Sequence, residues 1–302
     1  MGIEVGNPDK LIFPEAGYTK RDLVAHYERV GGAMLPHVDA RPLTLQRFPN
    51  GVAEKGFMQK NASKHFPDFI GRVEMPKQDG TTIYPTVSTE EGIAYLANQG
   101  TVTFHAWTSK VPHLDTPDRL ILDIDPETGD TASARKGATV VRDILESLHI
   151  PSAPMATGSK GYHVVSSIEP SLGVEDVGAF ARAVASIAAT LEPDVLTTEF
   201  SIEKRRGRAF VDWLRNRYGQ TGVAPWSLRP RPDATVAVPI AWDELDEVAP
   251  DAWNLGTVEA RLGVDSILGL HAVSLDGAIA AIPARLAELD ITVDEGFDRF
   301  RS

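Results

Sequence analysis

The sequence contains no cysteine, which excludes disulfide bonds, zinc sites built on thiolates and cysteine nucleophiles. It also lacks any apolar run approaching the ~20 residues that a membrane-spanning helix needs. The first five residues, Met1–Val5, include no basic residue and no long apolar segment, so we expect no secretory signal. These absences lead us to expect a soluble, cytoplasmic protein, and 302 residues suffice for one large domain or two lobes.

Net positive charge is missing too, since the chain carries a formal charge of -12. The acidic excess lies in residues 233–302, which hold fourteen acidic and four basic residues, whereas residues 1–232 hold 28 and 26. Basic residues of this nearly balanced part cluster at Lys204, Arg205, Arg206, Arg208, Arg215, Arg217, Arg229 and Arg231. Because phosphate contacts depend on local clusters, a nucleic-acid role stays open, with a solvated surface as the alternative.

Hydrophobic periodicity and capping residues predict alternating helices and strands. Helices are predicted over 19–34, 88–97, 132–148 and 174–191, and the second begins with a capping box at Ser88–Glu91. Strands are predicted over 43–48, 101–107, 119–125, 162–168 and 208–214, followed by a mostly helical tail from Ala241 on. The alternation has no strict βαβ rhythm, so we expect an α/β (α+β) protein with two lobes that divide near residue 110.

Two carboxylates end the predicted strand 119–125. Asp123 and Asp125 are two residues apart, so both project from the same face, and Asp212 ends a second apolar stretch. Oxygen ligands suit Mg²⁺ or Mn²⁺, and three carboxylates with a nucleotide triphosphate would form a two-metal site. The alternative interpretation is that the aspartates only end a strand before the turn at Pro126.

A glycine-rich turn, Thr157–Gly161, precedes the strand 162–168. Its backbone N–H groups, its hydroxyls and Lys160 are suited to phosphate, although the spacing of a P-loop is absent. His105 on its own strand, together with Arg205 and Arg229, supplies further donors for a triphosphate. Taken singly, a Gly-Ser-Lys-Gly tetrapeptide such as Gly158–Gly161 is more often a surface turn, and a lone strand histidine is more often structural.

Together these segments resemble the polymerase domain of bacterial DNA ligase D, within the archaeo-eukaryotic primase superfamily. The resemblance runs from Asn7 to about Glu244 and rests on the order and spacing of eight motifs. They are Asn7–Lys10, Thr19–Lys20, Arg41–Leu45, Gln59–Asn61, Leu120–Pro126, Gly158–Gly161, Phe210–Trp213 and Ala224–Arg229. The resemblance implies a primase-type palm whose RRM-like antiparallel sheet carries the aspartates, plus an N-terminal α/β lobe. We expect lobes of 1–110 and 111–302, and, since no ligase segment follows, a stand-alone primase-polymerase.

The resemblance also implies roles for individual residues. Asp123, Asp125 and Asp212 match the catalytic metal-binding triad. The positions that match nucleotide contacts are His105, Thr157, Ser159, Lys160, Arg205, Arg215 and Arg229. Positions that match the pocket for a DNA 5′-phosphate are Asn7, Lys10 and Lys20, and those that match template contacts are Arg47, Phe57 and Met58. The implied cofactors are two Mn²⁺ or Mg²⁺ ions. The implied substrates are gapped or recessed DNA and nucleoside triphosphates, with a preference for ribonucleotides. The implied partners are a separate ATP-dependent ligase and Ku.

Four positions depart from the family pattern. Thr157 replaces a serine but keeps the hydroxyl. Met58 replaces a second aromatic residue, which should weaken stacking on the template by up to ~1–3 kcal/mol per base. Gln46-Arg47 replaces a Lys/Arg pair and removes one charge, and Arg215 replaces a glutamine near the ribose. We expect weaker DNA affinity or a different DNA geometry, and an altered sugar preference.

Two other functions compete with a polymerase that fills gaps or extends ends in DNA repair. A phosphohydrolase of the haloacid-dehalogenase type also has a strand ending in Asp-x-Asp, but Pro126-Glu127 follows here instead of the usual threonine. A non-catalytic module that binds DNA ends is the other alternative, although a pure binder gains nothing from three carboxylates beside phosphate. Release of pyrophosphate and extension of a primer would separate the three.

Overall fold

The computed structural model describes residues 3–77, 80–127 and 129–292. Its first half contains β1 (Leu11–Phe13), β2 (Tyr18–Thr19), α1 (Lys20–Val38), β3 (Leu43–Arg47), β4 (Phe57–Gln59), β5 (Gly71–Lys77), β6 (Gly80–Thr86), α2 (Glu90–Asn98) and β7 (Thr101–Ala106). Its second half contains β8 (Arg119–Asp125), α3 (Thr131–Ser147), β9 (Ala153–Ala156), β10 (Tyr162–Ser167), α4 (Val174–Leu191), β11 (Leu196–Thr197), α5 (Ile202–Arg205), β12 (Ala209–Asp212), β13 (Gly222–Val223), β14 (Val238–Pro239) and α6 (Asp276–Glu288). None of the helices in these ranges has the length and apolar character needed to cross a membrane.

Helix α1 begins at a capping box. The Asp22 carboxylate accepts from the Thr19 backbone N–H at 2.7 Å, and the Thr19 hydroxyl accepts from the Asp22 N–H. The predicted helix is confirmed and continues to Val38. The capping box predicted for α2 is wrong by one residue, because the N-cap is Thr89, whose hydroxyl accepts from the Gly92 N–H.

The N-terminal sheet has the order β13-β7-β3-β4, and all of its neighbours are antiparallel. Its core includes Leu45 and Phe104 from the sheet and Tyr27 and Leu96 from the two helices. Strands β5 and β6 form a separate antiparallel hairpin. The edge strand β4 is short and carries exposed side chains, so this side of the sheet is open to a ligand.

The second sheet has the order β11-β12-β8-β10-β9-β14, and only the β11–β12 pair is parallel. Alternation divides the residues of β8 between two faces. Leu120, Leu122 and Ile124 pack in the core that α3 and α4 share with the sheet. Asp123 and Asp125 therefore project from the opposite face. This mostly antiparallel sheet, with helices on one face, confirms the expected palm.

The chain returns to the N-terminal sheet after the palm. Strand β13 pairs with β7, and Ala224, Trp226 and Leu228 are buried in the core of the first half. Strand β14 then rejoins the palm beside β9. The division near residue 110 remains a proposal, with residues 222–228 packed on the N-terminal side of it.

The tail differs from its prediction as a mostly helical segment. Between Ala241 and the end of the described residues it contains one α-helix, α6, and two short 3-10 helices, Trp242–Glu244 and Val258–Arg261. Pro250, Gly256 and Gly263 interrupt this stretch, because proline lacks the N–H donor that a helix needs and glycine costs conformational entropy. The predicted strand 208–214 is also shorter, since its last residues turn into a 3-10 helix at Leu214–Asn216.

Candidate active site

The three predicted acidic residues meet on the palm sheet. Asp123 on β8 lies directly opposite Asp212 on β12 and opposite His163 on β10. Asp123 and Asp212 are buried, each residue only 6% exposed. The antiparallel register thus brings Asp212, 89 residues away in sequence, beside the Asp123/Asp125 pair, as the prediction required.

A guanidinium group lies between two of these carboxylates. Arg215 Nη2 is 3.1 Å from an oxygen of Asp123 and 3.1 Å from an oxygen of Asp212, and its Nε donates to Asp123 at 3.1 Å. Arg215 comes into reach because the chain turns tightly after β12, where the Leu214 N–H donates to the Asp212 carboxylate at 2.9 Å. His163 Nε2 also lies 3.4 Å from Asp123.

The pKa values of the carboxylates are pushed apart. The charge of Asp123, followed by burial, raises the pKa of Asp125 to about 6. Burial alone would raise the pKa of Asp123, but His163 and Arg215 outweigh it and hold that pKa well below its usual range. Burial raises the pKa of Asp212 despite the opposing effect of Arg215. Negative charge at Asp125 is therefore the least compensated of the three.

The donor set suits a divalent cation. Asp123 and Asp125 offer oxygens from one strand face, and their mutual repulsion is relieved by a cation between them. In the described part of the chain, no three His, Asp or Glu side chains are grouped to hold an ion as they stand. The guanidinium of Arg215 already contacts two of the three carboxylates.

A cavity of about 100 Å³ opens beside Asp123 and Asp125. Five of the seven predicted nucleotide contacts line it: His105, Thr157, Ser159, Arg215 and Arg229. His105 Nε2 and Arg229 Nε are buried without a hydrogen-bond partner among the residues that the structure describes. Burial, together with Arg229, lowers the pKa of His105 to about 3, so its imidazole is neutral at physiological pH. Two buried nitrogen atoms thus have unused hydrogen-bonding capacity toward a ligand.

The glycine-rich turn closes one side of this cavity through close backbone packing. The Thr157 hydroxyl donates to the Gly161 carbonyl at 2.8 Å, and Arg229 Nη1 donates to the Thr157 carbonyl at 3.1 Å. Gly158 has φ +66°, and a Cβ there would lie 2.6 Å from the Val236 carbonyl carbon. The Thr157 hydroxyl is therefore used inside the turn, which leaves Ser159, accepting from Arg231 at 3.4 Å, closer to a ligand-binding role.

Two predicted nucleotide contacts do not line the cavity. Arg205 donates to the carbonyls of Glu199 and Phe200, and its guanidinium lies 4.2 Å from the centre of the Phe210 ring. Phe210 pairs in register with Asp125, so Arg205 lies on the flank of the acidic site. Lys160 lies on the exposed side of the turn.

The residues predicted for a 5′-phosphate cluster at the N-terminus. Asn7 has φ 54°, and its carbonyl accepts from the Lys10 N–H at 3.1 Å. Lys10 Nζ donates to Asn50, and Lys20 Nζ donates to the Gly6 carbonyl at 2.7 Å. Burial, then the charges of Lys10 and Arg47, lower the pKa of Lys20, so the three cations are close enough to repel one another. An anion would relieve that repulsion.

The predicted template contacts lie on the open edge of the N-terminal sheet. Phe57 and Met58 on β4 are 48% and 50% exposed. Arg47 on β3 pairs with Phe57, and its guanidinium lies 5.4 Å from the ring centre. That guanidinium also donates to Gln59 and to the Gln99 carbonyl, which holds it in place beside an exposed apolar surface.

His163 is the site residue that the sequence interpretation missed. It alternates with the buried Tyr162 and Val164, so the two-residue period places it on the face that carries the aspartates. A polar residue at such a position was the available signal. Thr221 was also missed, and Arg231 was named only as a member of the basic cluster. The places of both depend on loops that the periodicity of the sequence does not reveal.

Comparisons with known proteins agree with this geometry. The fold is that of a primase-polymerase, a class of nucleotidyltransferase, and the family model of the LigD primase-polymerase domain matches residues 19–266. The multifunctional non-homologous end joining protein LigD of Mycolicibacterium smegmatis is 33% identical over 87% of this chain. The bifunctional non-homologous end joining protein LigD of Bacillus subtilis is 28% identical over 84% of it. The chain spans only 36% and 41% of the length of these two relatives.

A solved structure extends the match to three dimensions. The polymerase domain from Mycobacterium tuberculosis ligase D in complex with DNA superposes with a TM-score of 0.83 at 31% sequence identity, covering 89% of this chain and 97% of that one. The chain belongs to the LigD primase-polymerase domain family. Membership supports neither the phosphohydrolase nor the non-catalytic alternative.

Proposed function

We propose that this chain adds nucleotides to the 3′ end of a primer opposite a DNA template, filling short gaps or extending broken ends during repair by non-homologous end joining. The observation that carries the proposal is a cavity lined by Asp123 and Asp125, with Asp212 directly opposite Asp123 on the neighbouring strand. The same cavity holds buried nitrogen atoms of His105 and Arg229 that have no hydrogen-bond partner among the described residues. The names of the relatives and the DNA in the neighbouring structure support the pathway and the substrate.

The chain's own residues supply the binding and the charge. Asp123, Asp125 and Asp212 would hold two divalent ions, Mn²⁺ or Mg²⁺, which when bound activate the attacking 3′-hydroxyl and neutralise the leaving pyrophosphate. Arg229 and the neutral His105 donate to phosphate oxygens from buried positions, where a hydrogen bond is stronger than in water. Ser159, Lys160 and Arg205 extend this donor set along the triphosphate, and Thr157 shapes the turn beside it through its hydroxyl bond to the Gly161 carbonyl.

The N-terminal surfaces hold the DNA. Lys10, Lys20 and Asn7 bind the 5′-phosphate across a gap, since an anion relieves the mutual repulsion of the two lysines and Arg47. Phe57 and Met58 contact the template base and its neighbour, with Met58 a weaker stacking surface than an aromatic ring. A lobe of 1–110 for DNA and a lobe of 111–302 for catalysis are part of this proposal.

The proposal extends to substrate choice and partners. We propose ribonucleoside triphosphates as the preferred substrates, with Arg215 in the place of a glutamine as the residue that modifies this preference. An ATP-dependent ligase that seals the product and the end-binding protein Ku are the proposed partners, which places the protein with the DNA in the cytoplasm. Parallel extension with ribo- and deoxyribonucleotides by the wild type and by Arg215→Gln tests the sugar preference.

Primer extension on a gapped, 5′-phosphorylated duplex with Mn²⁺ tests the activity itself. The wild type should lengthen the primer with stoichiometric release of pyrophosphate. Asp125→Asn should lose at least a hundredfold in rate and keep its DNA affinity within about twofold, because metal-ion catalysis depends on its ligands. Asp243→Asn, which neutralises an exposed carboxylate on the same half of the chain, is the matched control. Wild-type protein that binds the duplex and never extends it would overturn the proposal.

A further inference from the structure

We infer that Arg215 is an internal cation that competes with divalent metal for Asp123 and Asp212, so that the protein takes up metal weakly until a nucleotide triphosphate is present. The inference rests on the proposed function, since it takes these carboxylates as the metal ligands. It adds a residue whose effect is on metal occupancy rather than on the chemical step.

The contacts of Arg215 leave little room for a metal ion on the same carboxylate oxygens. One nitrogen, Nη2, is 3.1 Å from both Asp123 Oδ2 and Asp212 Oδ2, and Nε approaches the same Asp123 oxygen at 3.1 Å. A Mg²⁺ ion lies about 2.0–2.1 Å from its oxygen ligands. An ion bound to that Asp123 oxygen would therefore bring a double positive charge into contact with the guanidinium. The two cations exclude each other from this position.

Arg215 stabilises the carboxylates when no other cation does. Two buried acids on adjacent strands face each other in register, which is costly unless positive charge lies between them. Metal must replace this stabilisation before it contributes any of its own, and its apparent affinity falls accordingly.

The Arg215 side chain also has other hydrogen-bond acceptors within reach if metal displaces it. Nη1 lies 3.5 Å from the Thr221 carbonyl, and both residues line the cavity that holds His105 and Arg229. A triphosphate in this cavity offers the guanidinium new anionic partners. Metal and nucleotide should therefore bind with positive coupling, and each should strengthen the other by the same factor.

Mn²⁺ binding to the full chain, measured by the EPR signal of free Mn²⁺ without DNA or nucleotide, tests the inference. Arg215→Gln should bind Mn²⁺ roughly tenfold tighter than the wild type or better, because the repelling charge is gone and the polar chain remains. Arg215→Lys keeps the charge but loses the planar guanidinium that contacts both carboxylates, so it should bind Mn²⁺ roughly two- to fivefold tighter than the wild type. Lys204→Gln removes an exposed positive charge from the same half of the chain and should change the affinity by less than about twofold.

Thermal unfolding separates competition from a plain structural role. In EDTA, Arg215→Gln should melt below the wild type, and saturating Mn²⁺ should close or reverse that difference. The inference is overturned if the difference in melting temperature is the same with and without Mn²⁺. It is also overturned if neither Arg215→Gln nor Arg215→Lys binds Mn²⁺ more tightly than the wild type. Asp123→Asn distinguishes this from failure of the proposed function: if it binds Mn²⁺ as the wild type does, the carboxylates are not the ligands.

Discussion

Gly161 is the position where the packing of the palm leaves least space for a side chain. A Cβ there would clash with the Ile124 carbonyl oxygen and lie 3.0 Å from its carbon and 3.2 Å from Pro126 Cδ. The backbone of Gly161 has no positive φ, so the cost of Gly161→Ala is steric rather than torsional. Because real Cβ atoms do not approach backbone that closely, the end of β8 must move by about an ångström, at ~3 kcal/mol for an overpacked site.

Gly161→Ala should therefore affect both stability and chemistry. A loss of ~3 kcal/mol corresponds to a fall of roughly 5 °C in melting temperature for a chain of this size. The shifted segment carries Asp125, so an ångström of displacement should also slow primer extension on the order of a hundredfold. Thermal unfolding and single-nucleotide extension measure the two effects.

The matched control is Gly277→Ala in α6, where nothing lies within 4 Å of the added Cβ. Alanine should stabilise this helix by up to ~1 kcal/mol and leave extension unchanged. If Gly161→Ala melts and extends like the wild type, the close packing between the turn and β8 is not what positions Asp125.

Three further predictions concern buried charge and the DNA surface. Arg41 is almost fully buried and donates two hydrogen bonds to the Asp118 carboxylate, at 2.7 and 2.8 Å. Arg41→Met should therefore lower the free energy of unfolding by ~3–5 kcal/mol in urea titrations. An effect below ~1 kcal/mol would contradict the importance of this pair. The pKa of Asp125 is raised from 3.8 to about 6, so the folded state binds more protons than the unfolded state between these pH values. Metal-free protein should therefore lose stability as the pH rises from 3.8 to about 6. Asp125→Asn should flatten this pH dependence in melting curves. Lys10→Ala and Lys20→Ala should abolish the advantage of a 5′-phosphate in gap extension, and equal extension of phosphorylated and unphosphorylated gaps by the wild type would show that the pocket is wrongly assigned.

The elements that the sequence predicted best are those with a long, regular pattern. Strand β8 and helix α4 have the predicted bounds, since each carries an uninterrupted apolar period of its own. The common face of Asp123 and Asp125 follows from the same local rule. The order and spacing of short motifs were specific enough to indicate the family, because they depend on the arrangement of the whole fold and not on a single element.

The remaining features depend on pairings between distant parts of the chain. Sequence alone proposed Asp212 as the third acid, but only the antiparallel register of β12 with β8 brings it opposite Asp123. The register of β10 with β8 adds His163, and the turn after β12 inserts Arg215 between the acids. The return of β13 to the N-terminal sheet has no local signal, because a two-residue strand is specified by its partner β7 and not by its own composition. Local patterns thus determined which residues are acidic, apolar or turn-forming, whereas tertiary packing decided which charges share the site and how they are balanced.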